Sequence, residues 1–440
     1  MPRRILRRTQ YAWLSRARWI RRLIFWSGAI AVGVIAILFT IGSEYAHEGF
    51  RRVIAFSPYA PLLITPAGLV LVVFTTRRFF PGSQGSGIPQ TIAALQLTDP
   101  QARNSVLSLR IAIGKIGLTL LGLLCGASVG REGPTVQIGA SILHAIGVLG
   151  RFSRHDAERA LIIAGGAAGV AAAFNTPLAG VVFAIEEMSR SLEHRMSGII
   201  LTAVIIAGIT SLAILGNYTY FGHTTATLDL KSGWFAPLVC GVIGGLLGGI
   251  FSRILIALGK GLQGSVGRFL ATRPLTAAAV CGILLALLGI ASGSTIYGTG
   301  YYEAKQILEG HAALPAAYGL MKMGATIISY ASGIPGGIFA PALAAGAGLG
   351  ANLAVLLPTV AGGAVVVLSM VAYFSGVVQA PITAFVIVME MTDKHDLLIP
   401  LMVSAMIASA VSKLVCPTPL YRSLARGFLR KQQAQAKIPE

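Results

Sequence analysis

The sequence predicts an all-helical membrane protein built from two internally repeated halves. Of its 440 residues, 55% are hydrophobic and 12% are charged, whereas a soluble domain carries about 25% charged residues. About twelve apolar runs have the length of a membrane-spanning helix, and two blocks of sequence recur in the same order. The spacing of Gly241, Gly245 and Gly249 places small residues on one helix face, which allows close packing of helix backbones in a membrane.

The apolar runs give the order of the predicted membrane segments. They cover residues 23–43, 58–76, 107–127, 134–150, 160–187, 196–216, 234–258, 274–292, 317–331, 337–357, 361–390 and 397–416. Several of these runs are too long for one simple crossing.

Two blocks of sequence recur in the halves. Residues 115–134 align without a gap over residues 322–341, and six of the twenty positions are identical. PLAGVVFAIE at 177–186 then aligns with PITAFVIVME at 381–390. Duplicated transporter folds hold their substrate at the interface of the repeats, so a functional site is expected there. An inverted arrangement requires an odd number of crossings in each half, and the sequence alone does not decide between inverted and parallel repeats.

The charge distribution predicts the topology. The net charge is +19, and eight of the first 22 residues are arginine. Because basic residues remain on the cytoplasmic side, both termini are predicted to be cytoplasmic and the crossings even in number. Nucleic acid is not an expected partner, since no soluble domain is present to carry a basic reading face. The predicted organisation is a basic segment 1–22, a first half 23–216, a polar linker 217–233, a second half 234–428 and a basic tail 429–440.

Three motifs place glycine shortly before proline at the edges of apolar runs. They are GSGIP at 85–89, GREGP at 130–134 and GIFAP at 337–341. Proline fits the first turn of a helix and glycine allows the chain to turn before it, so each motif indicates a helix start. The first N–H groups of a helix lack internal partners and carry a partial positive charge. Three converging starts would form an anion site; the alternative is that these residues only kink membrane helices.

The signature segments resemble the CLC family of chloride channels and proton-coupled chloride antiporters. The resemblance spans residues 80–428 and is carried by GSGIP, GREGPTVQIG at 130–139, FNTPLAGVVFAIEEM at 174–188, GGIFAPALA at 336–344, QAPITAFVIVMEMTD at 379–393 and PLY at 419–421. It implies a CLC-type fold whose broken helices meet at an anion site within the membrane. It also implies a homodimer in the lipid bilayer of the cell (inner) membrane, with chloride and protons as transported ions and no cofactor.

The resemblance also assigns roles to individual residues. It implies that Glu132 is the gating glutamate and that Glu187 is the internal glutamate that exchanges protons with the cytoplasm. The implied chloride-binding residues are Ser86, Ile338, Phe339 and Tyr421, and the implied supporting residues are Gly87, Arg131, Gly133 and Lys115.

Four of the sixteen acidic residues fall within or beside the apolar runs: Glu132, Glu186, Glu187 and Glu390. A carboxylate in that position costs on the order of 2.5–3.5 kcal/mol and is a functional candidate. An ionised carboxylate at residue 132 would satisfy the same N–H groups as an anion, so proton and anion binding would compete. The alternatives for this residue are a helix cap or a pair with Arg131.

Four further residues have open roles. Glu186 and Glu390 occupy equivalent repeat positions, which favours a shared structural role such as satisfying backbone groups. Lys115 and Lys322 are equivalent as well; they tune the anion field, or they snorkel to the surface or pair with an acid.

Glu187 favours an exchanger, since CLC channels commonly replace it with an uncharged residue; a passive chloride channel is the alternative. Ser86 favours chloride over nitrate, and the segment around Glu132 lacks the pattern of fluoride exporters. Gln90 and Ile92 replace acidic residues common in similar bacterial antiporters, which predicts an altered proton path. The family's cytoplasmic CBS domains are not expected.

Two other kinds of site are not predicted. The seven histidines and four cysteines show no metal-ligand or disulfide spacing. GASVG at 126–130 fits a serine nucleophile pattern, but that motif requires a strand before the serine, and Ser128 ends a predicted membrane helix.

Overall fold

The computed structural model describes residues 16–150, 155–189, 194–216, 219–222, 226–228, 233–311 and 314–435. Each of the five predicted regions lies partly outside these residues: positions 1–15 of the basic segment, 151–154 and 190–193 of the first half, part of the linker 217–233, 312–313 of the second half and 436–440 of the tail. The positive-inside prediction rests largely on arginines of that first segment, so it stays a prediction.

The described chain is almost entirely helical, which confirms the predicted fold class. The first half contains α1 Arg16–Phe56, α2 Pro61–Phe79, α3 Ile88–Ala94, α4 Pro100–Asn104, α5 Leu109–Leu124, α6 Glu132–Leu149, α7 His155–Phe174, α8 Pro177–Phe183 and α9 His194–Leu215. The second half contains α10 Phe235–Lys260, α11 Gly264–Thr272, α12 Pro274–Ala291, α13 Tyr301–Leu308, α14 Tyr318–Ala331, α15 Phe339–Leu356, α16 Gly362–Val378, α17 Pro381–Thr392, α18 Leu398–Val415 and α19 Leu420–Gln435.

Nine helices within the described ranges are long and apolar enough to cross a membrane. Strand pairing there is limited to two isolated bridges. The repeat is visible in the helix order, because α5 to α9 correspond to α14 to α18. The equivalent helices α6 and α15 each contain 18 residues.

The two longest predicted apolar runs are broken at equivalent positions. The run 160–187 divides between α7 and α8, and the run 361–390 divides between α16 and α17. At each break one residue adopts a left-handed conformation, Asn175 with φ of 57° and Gln379 with φ of 56°. A proline then starts the next helix, where its missing N–H costs nothing. The proline also forces the residue before it out of the helical region.

Glu186 and Glu390 cap helices in opposite halves. Glu186 accepts N–H bonds of 3.2 and 2.6 Å from the first turn of α17. Glu390 accepts N–H bonds of 3.2 and 2.7 Å from the first turn of α8. Each carboxylate therefore satisfies first-turn groups that have no partner within their own helix and complements the helix dipole. This exchange is the shared backbone role expected for the pair.

The glycine stripe on α10 packs against α18, as predicted. A Cβ atom at Gly245 would lie 2.5 Å from the carbonyl oxygen of Ala408, and one at Gly249 would lie 3.1 Å from the Cα of Ser412. Only small residues allow the two helix backbones to approach so closely.

Candidate anion site

Backbone hydrogen bonds join the three glycine-proline loops. Gly85 N donates to Ile334 O at 3.0 Å, and Gly336 N donates to Gly85 O at 3.0 Å. Gly130 and Gly337 exchange two hydrogen bonds of 2.7 and 2.6 Å. The starts of α3, α6 and α15 therefore meet at the interface of the halves, and the isolated bridges of the fold are these contacts.

Glycines allow the loops to approach each other. A Cβ atom at Gly133 would lie 2.3 Å from Ser86 Oγ and 2.9 Å from Ser86 O. Gly87 has φ of 103°, and a Cβ atom there would lie 2.8 Å from Gly133 O. The candidate supporting residues Gly87 and Gly133 thus provide the space in which the Ser86 hydroxyl lies between two helix starts.

Replacing Gly133 with alanine is expected to weaken chloride binding by about tenfold or more, because the new methyl group displaces the Ser86 hydroxyl or separates the loops. Isothermal titration of chloride into the purified protein measures this change. Gly117→Ala is the matched control, since a Cβ atom at Gly117 meets nothing within 4 Å. Equal affinities for the two variants would contradict a role for the Gly133–Ser86 contact.

The Glu132 side chain is fully buried and contacts the helix start of the other half. Its Oε2 atom accepts the backbone N–H of Ala340, the second residue of α15, at 3.4 Å. Its Oε1 atom accepts the hydroxyl of Tyr220 at 3.4 Å. The carboxylate thus lies against the partial positive charge of a helix N-terminus that an anion would use.

Arg131 supports the first helix of the fold. Its Nη1 atom donates to Thr40 O at 3.0 Å and Ser43 Oγ at 2.8 Å, and it lies 3.2 Å from Glu44 Oε1. The guanidinium is therefore directed to α1. The guanidinium also interacts electrostatically with Glu132, so the alternative in which the two residues pair stays open.

Two hydroxyl groups are available beside this carboxylate. Ser86 and Tyr421 are buried, and their hydroxyl groups lie close enough to interact with each other. Tyr421 is close enough to Glu132 and Glu187 for electrostatic interaction. Hydroxyl groups are hydrogen-bond donors, so two of them near a helix start could both donate to a bound anion.

Ile338 and Phe339 form the start of α15. Both are buried, and their N–H groups belong to the first turn, which a helix cannot satisfy internally. The Phe339 ring packs against Tyr421, with 5.9 Å between ring centroids, and against Phe374, at 4.7 Å. Apolar rings exclude water from this place, which strengthens the effect of peptide dipoles.

Glu187 lies on a π-helical turn, Ala184–Ser189, that continues α8. Its side chain is buried. Such turns occur often at functional sites. Gln90 donates from Nε2 to Gln84 O at 2.5 Å. Its amide therefore holds the loop that precedes α3.

Lys115 and Lys322 hold loops in place. Lys115 Nζ donates to Ser83 O at 2.6 Å and Gly85 O at 2.7 Å. Lys322 Nζ donates to Ile296 O and Gly298 O, both at 2.8 Å. Both side chains are fully buried, so the expectation that they snorkel to the surface is wrong. Ion pairing does not hold Lys115 either, because no acidic group lies within 4 Å of it among the described residues.

The loop held by Lys322 repeats the loop held by Lys115. Gly298, Thr299 and Gly300 correspond to the Gly-Ser-Gly of the first half, and Gly85 and Gly298 both have φ of 66°. The spacing between loop and lysine differs in the two halves, so the ungapped alignment missed this extension of the repeat. Sequence reasoning also missed Glu303, a mostly buried carboxylate in the first turn of α13.

A cavity of about 410 Å³ leads to the site from one side. Its wall includes Ser86, Gln90 and Tyr330, together with the basic residues Arg77 and Lys260. Two positive side chains in the wall of this cavity favour the approach of an anion to Ser86.

Ser128, the candidate nucleophile of the GASVG pattern, lies in helix-flanking backbone and not after a strand. Its hydroxyl lies 3.3 Å from Thr326 Oγ1, and its N–H donates to Ser329 Oγ. The geometry is that of a buried contact between the halves.

The fold and these convergent helix starts define a duplicated, polytopic membrane protein. Residues 67–413 match the family model described as voltage gated chloride channel. The chain therefore belongs to the CLC family, whose members are transporters or channels, and the predicted resemblance is confirmed.

Solved structures agree with this assignment. A slow cyanobacterial Cl⁻/H⁺ antiporter is 26% identical, with a TM-score of 0.77 over 94% of this chain and 99% of that chain. A CLC-type fluoride/proton antiporter is 24% identical, with a TM-score of 0.77 over 91% of this chain and 97% of that chain. A eukaryotic CLC transporter is 20% identical, with a TM-score of 0.76 over 94% of this chain and 75% of that chain. The last two likenesses establish the fold alone.

Proposed function

We propose that the protein exchanges chloride for protons across the membrane. The observation that carries this proposal is the position of Glu132, whose carboxylate accepts the Ala340 N–H at the start of α15. A chloride ion bound by the same amides would have to displace the carboxylate. Protonation of the carboxylate removes its charge and so favours that displacement. One side chain thereby couples the two ions.

The resemblance to the CLC family supports the remaining roles in this proposal. Ser86 and Tyr421 donate hydroxyl hydrogen bonds to chloride, and the N–H groups of Ile338 and Phe339 bind it with partial charges. Partial charges suit transport, because an ion must be held strongly enough to lose water and weakly enough to leave. Glu187 transfers protons between the gate and the cytoplasm.

The wider arrangement is part of the same proposal. The halves 23–216 and 234–428 are inverted repeats in the cell (inner) membrane, with both termini cytoplasmic, and two copies form a homodimer with one anion path each. Chloride is the substrate class favoured by Ser86.

A passive chloride channel is the alternative, and the channel named in the family description favours it. The test is a proton-flux assay in liposomes that hold an outward chloride gradient, with potassium and valinomycin fixing the membrane potential at zero. Exchange predicts that chloride efflux drives proton uptake and that the external pH rises. A protonophore added afterwards should collapse the proton gradient. Chloride efflux without proton movement would establish the channel and overturn the exchanger.

A further inference from the structure

Tyr220 belongs to the segment that connects the halves, which the sequence marks only as a polar linker. Its side chain is almost fully buried. The adjacent Phe221 N donates to Met391 O at 2.9 Å, which ties this turn to the end of α17. The Tyr220 hydroxyl donates to Glu132 Oε1 at 3.4 Å. The connecting segment therefore reaches the gating carboxylate directly.

Aromatic and cationic groups of both halves fix the Tyr220 ring. The guanidinium of Arg131 lies 5.5 Å from the ring centroid, which is the distance of a cation–π contact. The rings of Phe174 and Tyr301 pack edge to face against it, with centroids at 5.6 and 4.9 Å. Because Arg131 is itself bound to α1, the ring has little freedom and its hydroxyl is directed at Glu132.

The two oxygens of Glu132 have different partners. Oε2 lies at the Ala340 N–H, where an anion would compete, and Oε1 lies at the Tyr220 hydroxyl. The hydrogen bond from Tyr220 to Oε1 stabilises the conformation in which Oε2 accepts the Ala340 N–H that an anion would use. An entering chloride ion must therefore break the bond to Tyr220 as well as the bond to Ala340.

We propose that Tyr220 is a positioning residue that holds the Glu132 carboxylate in the anion site and thereby lowers the apparent affinity for chloride. The inference rests on the proposed competition between Glu132 and chloride. It makes the segment between the halves part of the gate. It also gives Arg131 a function, because Arg131 positions the Tyr220 ring.

The size of the effect follows from one hydrogen bond to a carboxylate. Tyr220→Phe keeps the ring and its packing but removes the donor, so the carboxylate competes less well. We expect the dissociation constant of chloride to fall by about threefold to tenfold. Tyr220→His, which keeps a ring donor, should remain closer to the wild type.

A double-mutant cycle separates this role from a general effect on stability. Chloride dissociation constants are measured by isothermal titration calorimetry for the wild type, Tyr220→Phe, Glu132→Ala and the double variant. Tyr220→Phe should tighten chloride binding only where Glu132 is present and should change nothing in the Glu132→Ala background. Equal changes in both backgrounds would overturn the proposal.

Tyr373→Phe is the matched control, because its buried hydroxyl has no partner within the described residues. It should leave chloride affinity unchanged. If Tyr220→Phe does not fold, Tyr220→His against Tyr220→Met gives the same comparison, and equal chloride affinities for that pair would overturn the proposal.

Proton uptake by the wild type tests the exchanger separately. If the effect of Tyr220→Phe depends on Glu132 but the wild type takes up no protons, the role of Tyr220 stands and exchange is rejected. If the wild type takes up protons but the effect of Tyr220→Phe does not depend on Glu132, only the role of Tyr220 is rejected.

Discussion

Replacing Glu132 with alanine is expected to reduce proton uptake to the leak of protein-free liposomes while chloride efflux continues. Alanine cannot carry a proton, and it leaves the Ala340 N–H free for the anion. Chloride should therefore bind more tightly and cross without a competing carboxylate. Proton and chloride fluxes recorded together under an outward chloride gradient measure both effects.

Glu48→Ala is the control for this variant, because Glu48 is exposed and pairs with the surface residues Arg51 and Arg52. Its two fluxes should match those of the wild type. Proton uptake that persists in Glu132→Ala at the wild-type ratio to chloride would reject the gating role. A loss of both fluxes in correctly folded protein would assign the carboxylate to the structure of the site instead.

The features of the site that could be predicted from the sequence are those that depend on short local motifs. The three motifs each place a proline in the first turn of a helix, so the starts of α3, α6 and α15 were predictable from them. Their convergence followed from the repeat, since equivalent loops meet at a pseudo-symmetric interface. The broken runs at Asn175 and Gln379 follow the same rule, because the proline two residues later cannot continue a helix.

Contacts between the halves could not be predicted from local motifs. The caps that Glu186 and Glu390 provide join helices about two hundred residues apart, and nothing local in the sequence indicates their partners. Tyr220 lies in a polar segment without periodicity, and only the closed fold brings its hydroxyl to Glu132. The loop at Thr299 escaped notice because its distance from Lys322 differs from the corresponding distance in the first half.

The contacts of the two buried lysines explain how an uncharged anion site is compatible with nearby cations. Lys115 and Lys322 direct their ammonium groups at loop carbonyls and not at the place that Glu132 occupies. Those hydrogen bonds compensate the cost of burial. In the proposed site the anion would meet peptide dipoles and hydroxyls, which bind more weakly than a full charge and permit release.

Replacing Glu187 with glutamine is expected to stop proton uptake while chloride efflux is retained. Glutamine keeps the size and polarity of the side chain on the π-helical turn but cannot take up and release a proton at neutral pH. Glu187 is separate from the amides at Ala340, so the anion path should stay open. The proton-flux assay gives the first result, and chloride efflux in the same liposomes gives the second.

Glu186→Gln is the comparison for this variant, because Glu186 is the neighbouring carboxylate on the same turn but caps α17. Its substitution should lower the thermal unfolding temperature without changing the ratio of protons to chloride. Intact coupling in Glu187→Gln would show that protons reach Glu132 by another route. The cavity lined by Ser86 and Gln90 offers such a route, because water entering it would reach Ser86 and its lining does not include the π-helical turn.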